Sequence, residues 1–438
     1  MRIQKSVRTL IMGTFLSSIF LLSTGLFMVA SATAPTSFSA PVNISNDANV
    51  ASYPNVQTNG NNVYVVWTER SHGIMFRSYS ISSQTWTPPL TSAALRLSPA
   101  GTTNYPLMTD VGNYVYVVWS QTTTALKTLQ IYIAISSNGG QTFSAAVDID
   151  QNTAAAASTP VIAASGSYVS VGWIVGAKSY VSVSSNNGAT WTKPFLFSSK
   201  HEPQLAEVGA HVYAIADGSS LYVSSNGGGS WTKHTITGCC GAEPWIAAEG
   251  NNVLASWETK SNKSVIEAVY STNGGSTFSK TVTVSTGTTD AWGPMVNISG
   301  STFFIAYRTN PNESTSQEYV VVSTNAGGTW SSPTAIGIAS RDNEWPFTVA
   351  ASGNNIYIMW SEKVNTVKSN TDWQTLVSYS SDNGASWSTP PTSLTSTVVS
   401  GAQPEQDIAT GAIASTGATA FAVWQNNQTT SQIYFSLT

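Results

Sequence analysis

The chain has 438 residues, of which only 9% are charged and 11% aromatic, and its net charge is −4. No Lys/Arg run follows the N-terminus, so a phosphate backbone would find no basic footprint, and nucleic acid is excluded as the main partner. Ser, Thr, Asn and Gly filling the gaps between short apolar runs fit an extracellular β protein with an uncharged polar surface, and not a disordered chain.

The first segment, "MRIQKSVRTLIMGTFLSSIFLLSTGLFMVASATA", has a basic start, an apolar run from about Leu10 to Ala30 and a small-residue end at Ala34. This pattern reads as an export signal over residues 1–34, which places the mature chain outside the cell, secreted or at its surface. The apolar run is also about 20 residues long, enough to span a bilayer, so an uncleaved anchor is a second reading and the only predicted route to a membrane.

From residue 35 to 438 one unit recurs: a Pro- or Gly-containing lead-in, a strand, a tight turn, an apolar strand, a polar loop, a third strand, a second turn and a fourth strand. The second strand is the clearest marker. It returns as "NVYVVW" ending at Trp67, "YVYVVW" at Trp119, "YVSVGW" at Trp173, "HVYAIAD" at Asp217, "NVLASW" at Trp257, "TFFIAYR" at Arg308, "NIYIMW" at Trp360 and "TAFAVW" at Trp424. Alternating β-branched and aromatic residues over five or six positions make these strands, not helices. Four strands per unit, repeated every 40 to 60 residues or so, predict a single all-β domain: a β-propeller of about eight four-stranded blades. The last unit stops after its third strand at "SQIYFSLT", and "SFSAPVNIS" from Ser37 matches a fourth strand. The N-terminal strand is therefore expected to complete the last blade and close the ring.

Between third and fourth strands a phrase repeats: "SSNGGQTF" from Ser136, "SSNNGATW" from Ser184, "SSNGGGSW" from Ser224, "STNGGSTF" from Ser271, "STNAGGTW" from Ser323 and "SSDNGASW" from Ser380. It resembles the Asp-box of the sialidase-like, or bacterial-neuraminidase-repeat, propellers. "YSISSQTW", ending at Trp86, looks like a decayed seventh copy. Asn or Asp accepting backbone N–H bonds, Gly at positive φ and an inward aromatic make a structural turn, not a catalytic site. The resemblance implies that these turns lie on the side away from the substrate site.

Chemistry is then expected on the other face, around a central funnel, where the lead-ins "YPN", "YPL", "TPV", "HEPQ", "AEPW", "WGP", "RDNEWPF" and "AQPEQD" gather with Glu69, Arg70, Glu258, Arg308, Glu362 and Lys363. Glu202, Glu243, Arg308, Arg341, Glu344 and Trp345 are the candidate ligand-binding residues: carboxylates for hydroxyls or protons, Arg for an anionic group, Trp for a sugar face. The same groups could equally solvate loops or pair with the few bases. Active sialidases carry an Arg-Ile-Pro motif on the first blade, and this sequence has none, so no catalytic residue is carried over from the resemblance. The adjacent Cys239 and Cys240 read as a strained vicinal disulfide or two packed thiols, since metal-ligand spacing is lacking.

No cofactor or metal is expected. Three functions remain: glycan recognition through the funnel without standard sialidase catalysis, a glycoside hydrolase of non-standard arrangement, and a structural propeller that binds other cell-surface proteins.

Overall fold

In the computed structural model the described residues run from Ser37 to Thr438, except 47, 71, 99–102, 123–127, 151–154, 200–202, 217–219, 237–241, 260–262, 287–288, 310–315, 339–342, 364–372, 396–410 and 427–430. The expected signal segment, residues 1–34, lies outside them.

Eight antiparallel sheets form a β-propeller, and in the first seven the strands follow the chain from the first strand outward. The first strands of blades 1 to 8 are Ala51–Thr58, Thr103–Val111, Ala157–Ser165, Gln204–Val208, Ala242–Glu249, Ala291–Ser299, Asn343–Ser352 and Gly411–Thr416. Each packs against the first strand of the next blade, and Gly411–Thr416 packs back onto Ala51–Thr58, so these eight strands surround the axis. Blade 1 departs from the four-strand plan: Thr85–Thr87 and Leu95–Arg96 both pair with its third strand, Gly73–Ser80.

The two chain ends close the ring as their matching fragments predict. Val42–Asn43 pairs antiparallel with the last strand, Gln432–Leu437, setting Val42 opposite Phe435 and Asn43 opposite Tyr434. The Ser39 N–H donates to the Leu437 carbonyl at 2.7 Å and the Ile44 N–H to that of Ile433 at 2.8 Å, so the last blade has no open third-strand edge.

The apolar core is divided into eight clusters, one in each gap between blades. Strand residues alternate between the two faces, so Val63, Val65 and Trp67 enter the gap behind blade 1 while Tyr64 and Val66 enter the gap ahead. A sheet buried on both faces needs apolar residues at consecutive positions. That is why the second strands read as unbroken apolar runs. Their terminal tryptophans Trp67, Trp119, Trp173, Trp257, Trp360 and Trp424 are all buried; truncating one to Ala would cost on the order of 3–5 kcal/mol.

The repeated turn between third and fourth strands has one hydrogen-bond plan. In blade 3, Ser184 Oγ donates to Asn186 Oδ1 at 2.9 Å and accepts from the Gly188 N–H at 2.8 Å. Asn186 Oδ1 also accepts from the Thr190 N–H at 2.9 Å, while Asn186 Nδ2 donates to Thr190 Oγ1 at 2.9 Å. In blade 7 the acid Asp382 holds the same place, and there the Ser386 hydroxyl donates to Asp382 Oδ2 instead. Asn and Asp are interchangeable because the partner hydroxyl can reverse its role. Glycine is required for a second reason: a Cβ on Gly140, at φ 78°, would stand 2.7 Å from Phe76 Cζ of the preceding blade. The degenerate phrase before Trp86 lacks this wiring, and there Trp86 packs on Tyr79 and Phe435 across the closing gap.

Candidate functional site

The repeated turns share a rim with the hairpins that join first and second strands. The Gly139 N–H donates to the Asn113 carbonyl at 2.8 Å, Gly227 to Ala210 at 2.9 Å and Gly274 to Asn251 at 2.9 Å, each bond tying a turn to the hairpin of its own blade. Connections between second and third strands, and between one blade and the next, therefore occupy the opposite rim, where each first strand begins.

Just inside that beginning lies a repeated irregularity. The register between first and second strands slips between Ser52 and Asn55, Asn104 and Leu107, Ser158 and Val161, Ala242 and Trp245, and Trp292 and Met295. Within each slip stands an X-Pro pair whose first residue has a left-handed backbone: Tyr53 at φ 56°, Tyr105 at 54°, Thr159 at 51°, Glu243 at 54° and Gly293 at 59°. Residues before proline ordinarily take extended conformations, and a non-glycine residue at positive φ is strained by on the order of 1–3 kcal/mol. The bulge buries each proline, and in blades 2 and 3 it leaves the preceding side chain outside: Pro54, Pro106, Pro160 and Pro244 are buried, Thr159 is exposed and Tyr105 is 41% exposed, while Tyr53 and Glu243 are half-buried. Equivalent positions on neighbouring inner strands form one rung around the axis. On it the Tyr53 and Tyr105 rings of adjacent blades meet with centroids 4.7 Å apart and planes tilted by 54°.

Of the sequence-predicted residues, Glu243 occupies this rung. Trp345 precedes Pro346 within Asn343–Ser352, where the register slips between Glu344 and Thr348, so the backbone places Glu344 and Trp345 in the corresponding bulge of blade 7. Glu202, Arg341, Cys239 and Cys240 lie outside the described residues. Tyr53 and Tyr105 were not singled out from sequence, although "YPN" and "YPL" carry the same X-Pro signal.

Arg308 is placed differently. It is the penultimate residue of the second strand of blade 6, Thr302–Thr309, opposite Trp292 on one side and Glu318 on the other, and the register puts these side chains in the gap toward blade 7. Glu318 is fully buried, and neither carboxyl oxygen meets a hydrogen-bond donor among the described residues. Burial, then the charge of Glu362, pushes its pKa to about 8 against the opposing pull of Arg308. Glu69, Glu258 and Glu362 are likewise sealed between blades, at 2%, 1% and 0% exposure, so they cannot serve as funnel groups. Their acceptors are used internally: Trp67 Nε1 donates to Glu69 Oε1 at 3.0 Å, Ser264 Oγ to Glu258 Oε1 at 3.0 Å and Gln374 Nε2 to Glu362 Oε1 at 2.7 Å.

The sequence matches no family model and no curated protein. Solved structures share the fold at low identity. An ulvan lyase, described as a new family of polysaccharide lyase and bound to a saccharide of glucuronic acid and rhamnose 3-sulfate, is 13% identical over 90% of this chain and 95% of its own, with a TM-score of 0.53. A lectin from Burkholderia pseudomallei is 13% identical over 79% of this chain and all of its own, also at 0.53. A Trypanosoma rangeli sialidase aligns at a TM-score of 0.40, with 9% identity over 79% of this chain and 56% of its own. Sequence pattern, ring closure and the likenesses to the lyase and the lectin agree on one architecture, the β-propeller.

Proposed function

We propose that this chain is an exported glycan-recognising propeller, which binds saccharides at the rim where its inner strands begin. The observation that carries this reading is the exposed Tyr105 ring in contact with Tyr53. An aromatic face held open to solvent suits the C–H face of a sugar ring, and strained backbone repeated at equivalent positions marks a rung built for presentation. Thr159, exposed on the same rung, supplies a hydroxyl, and the half-buried Glu243 offers Oε1 as an acceptor, its Oε2 being buried. The saccharide bound to the lyase, and the description of the second neighbour as a lectin, are in keeping with it.

Recognition is favoured over hydrolysis. Among the described residues the interacting carboxyl pair Glu318 and Glu362 is buried, and a glycosidic oxygen could reach neither. A glycan array probed with the purified protein tests the reading: bound glycans should be lost with Tyr105→Ala and retained with Asn186→Ala. Loss with Asn186→Ala alone would move the site to the opposite rim.

A further inference from the structure

Away from the axis, between blades 4 and 5, a cleft of about 710 Å³ opens at the outer edge of the ring, within the size range of small-ligand sites. Its floor is apolar, formed by the buried Ile236 and Val269. Its walls are His234, from the outer strand Thr232–Thr235 of blade 4, and Phe278, the aromatic of the repeated turn of blade 5. Their rings meet nearly edge to face, 5.1 Å apart at 69°. Thr281 adds a hydroxyl, and the exposed Lys280 a cation. Lys233 borders the cleft along the chain, but strand alternation turns its side chain to the other face of blade 4, where its ammonium lies 6.0 Å from the Tyr222 ring centroid in the gap toward blade 3.

The preceding gap shows what this arrangement replaces. There the outer strand of blade 3 offers Phe195, which stacks on Trp231 with centroids 5.1 Å apart and planes within 3°, and the two rings fill the space. Here a smaller, titratable ring faces a phenyl ring, with the exposed Lys280 alongside. Ring faces, hydroxyls and a cation together match a ligand with an apolar C–H face, several hydroxyls and one negative charge.

We propose that this interblade cleft is a second binding site, for an acidic monosaccharide unit whose ring lies against Phe278 and whose carboxylate meets Lys280 and His234. The site is separate from the axial rung and does not depend on it. Burial holds the His234 imidazole below its ordinary pKa of 6.5, so at neutral pH it enters the site uncharged. The charged groups on its side of the sheet are Lys280 on the facing blade and Glu267, two residues from Val269 on the same face of Val265–Ser271 and beside the Trp257 indole; Lys233, on its own strand, is directed to the other face. A bound carboxylate would stabilise the imidazolium and raise the pKa of His234.

The test follows the imidazole resonances of the intact protein by NMR while D-glucuronate, D-glucose or sodium sulfate is added to about 10 mM, in the weak-binding range of a single sugar. Glucuronate should shift the His234 signals, raise the pH midpoint of that residue and leave His72 and His211 unmoved; glucose and sulfate should act at least about tenfold more weakly. Lys280→Glu, at an exposed position that leaves folding intact, should weaken glucuronate by about fivefold or more, and Tyr105→Ala should change nothing at His234. An unmoved His234, an equal response to sulfate, an undiminished response in Lys280→Glu, or loss of the response in Tyr105→Ala would each overturn the proposal.

Discussion

The guanidinium of Arg77 donates from Nε to the carbonyl oxygen of Ile44 at 2.9 Å, joining blade 1 to the segment that closes the ring. Its other nitrogens donate to the carbonyls of Pro88 at 2.7 Å, Pro89 at 2.9 Å and Ser92 at 2.7 Å, within the stretch that separates the two outer strands of blade 1. Arg77 is 1% exposed. Replacing it with Met leaves four carbonyls without that donor, for a loss on the order of 3 kcal/mol or more. The urea unfolding midpoint of Arg77→Met should fall accordingly. A midpoint equal to that of the parent would show that Arg77 plays no part in closure.

Asn186 should behave as a turn residue. Asn186→Ala removes the acceptor for Ser184 and Thr190, and should cost on the order of 1 kcal/mol without changing glycan affinity. Asn186→Asp should be nearly neutral, because the Thr190 hydroxyl can turn to donate as the Ser386 hydroxyl does to Asp382. Thermal melts of both variants decide this, and a large loss in Asn186→Asp would contradict the reversed-hydroxyl explanation.

Inward acids give stability a pH slope. Burial pushes Asp110 to about 6 and Glu207 to about 8, and burial with the Glu362 charge pushes Glu318 to about 8. In the unfolded chain these groups titrate near 4, so above that pH the native state holds protons that the unfolded state has released. Their contribution is complete below about pH 4 and is lost as pH rises through the native values, by up to about 1.4 kcal/mol per pH unit for each acid. Denaturant midpoints should therefore fall between pH 5 and pH 8, and Glu207→Gln and Glu318→Gln should each flatten that fall. Stability rising with pH, or variants with the parent slope, would contradict the burial of neutral acids.

Sialic acid release from a fluorogenic sialoside should not exceed the buffer rate, because the first-blade Arg-Ile-Pro motif is missing and Arg308 sits beside the buried Glu318. Robust release abolished by Arg308→Ala and Arg341→Ala would show a rebuilt arginine site and favour catalysis over recognition.

What was legible in the sequence follows from what repeats in it. Apolar runs ending in Trp67, Trp119 or Trp424 mark second strands because both faces of each sheet are buried, and the unmatched ends at Ser37 and Thr438 announce the closure. Less legible was the direction of side chains where the strand period breaks. The lead-in at Tyr53 looks like an ordinary X-Pro extension, and only packing in the ring imposes the left-handed turn that exposes its partner Tyr105. Burial of Glu69, Glu258 and Glu362 was also hidden. A carboxylate just past an apolar strand reads as a loop group, whereas here it caps a buried indole or hydroxyl inside the gap.

The central claim is that saccharides bind at the Tyr53–Tyr105 rung, and the most direct measurement is a crystal structure of the protein with a saccharide selected from the array. The expected result is a sugar ring within about 4 Å of Tyr105 and Tyr53, the range of apolar contact, with a hydroxyl turned toward Glu243. A saccharide seated on the rim of the repeated turns, with Tyr105 left uncovered, would contradict it.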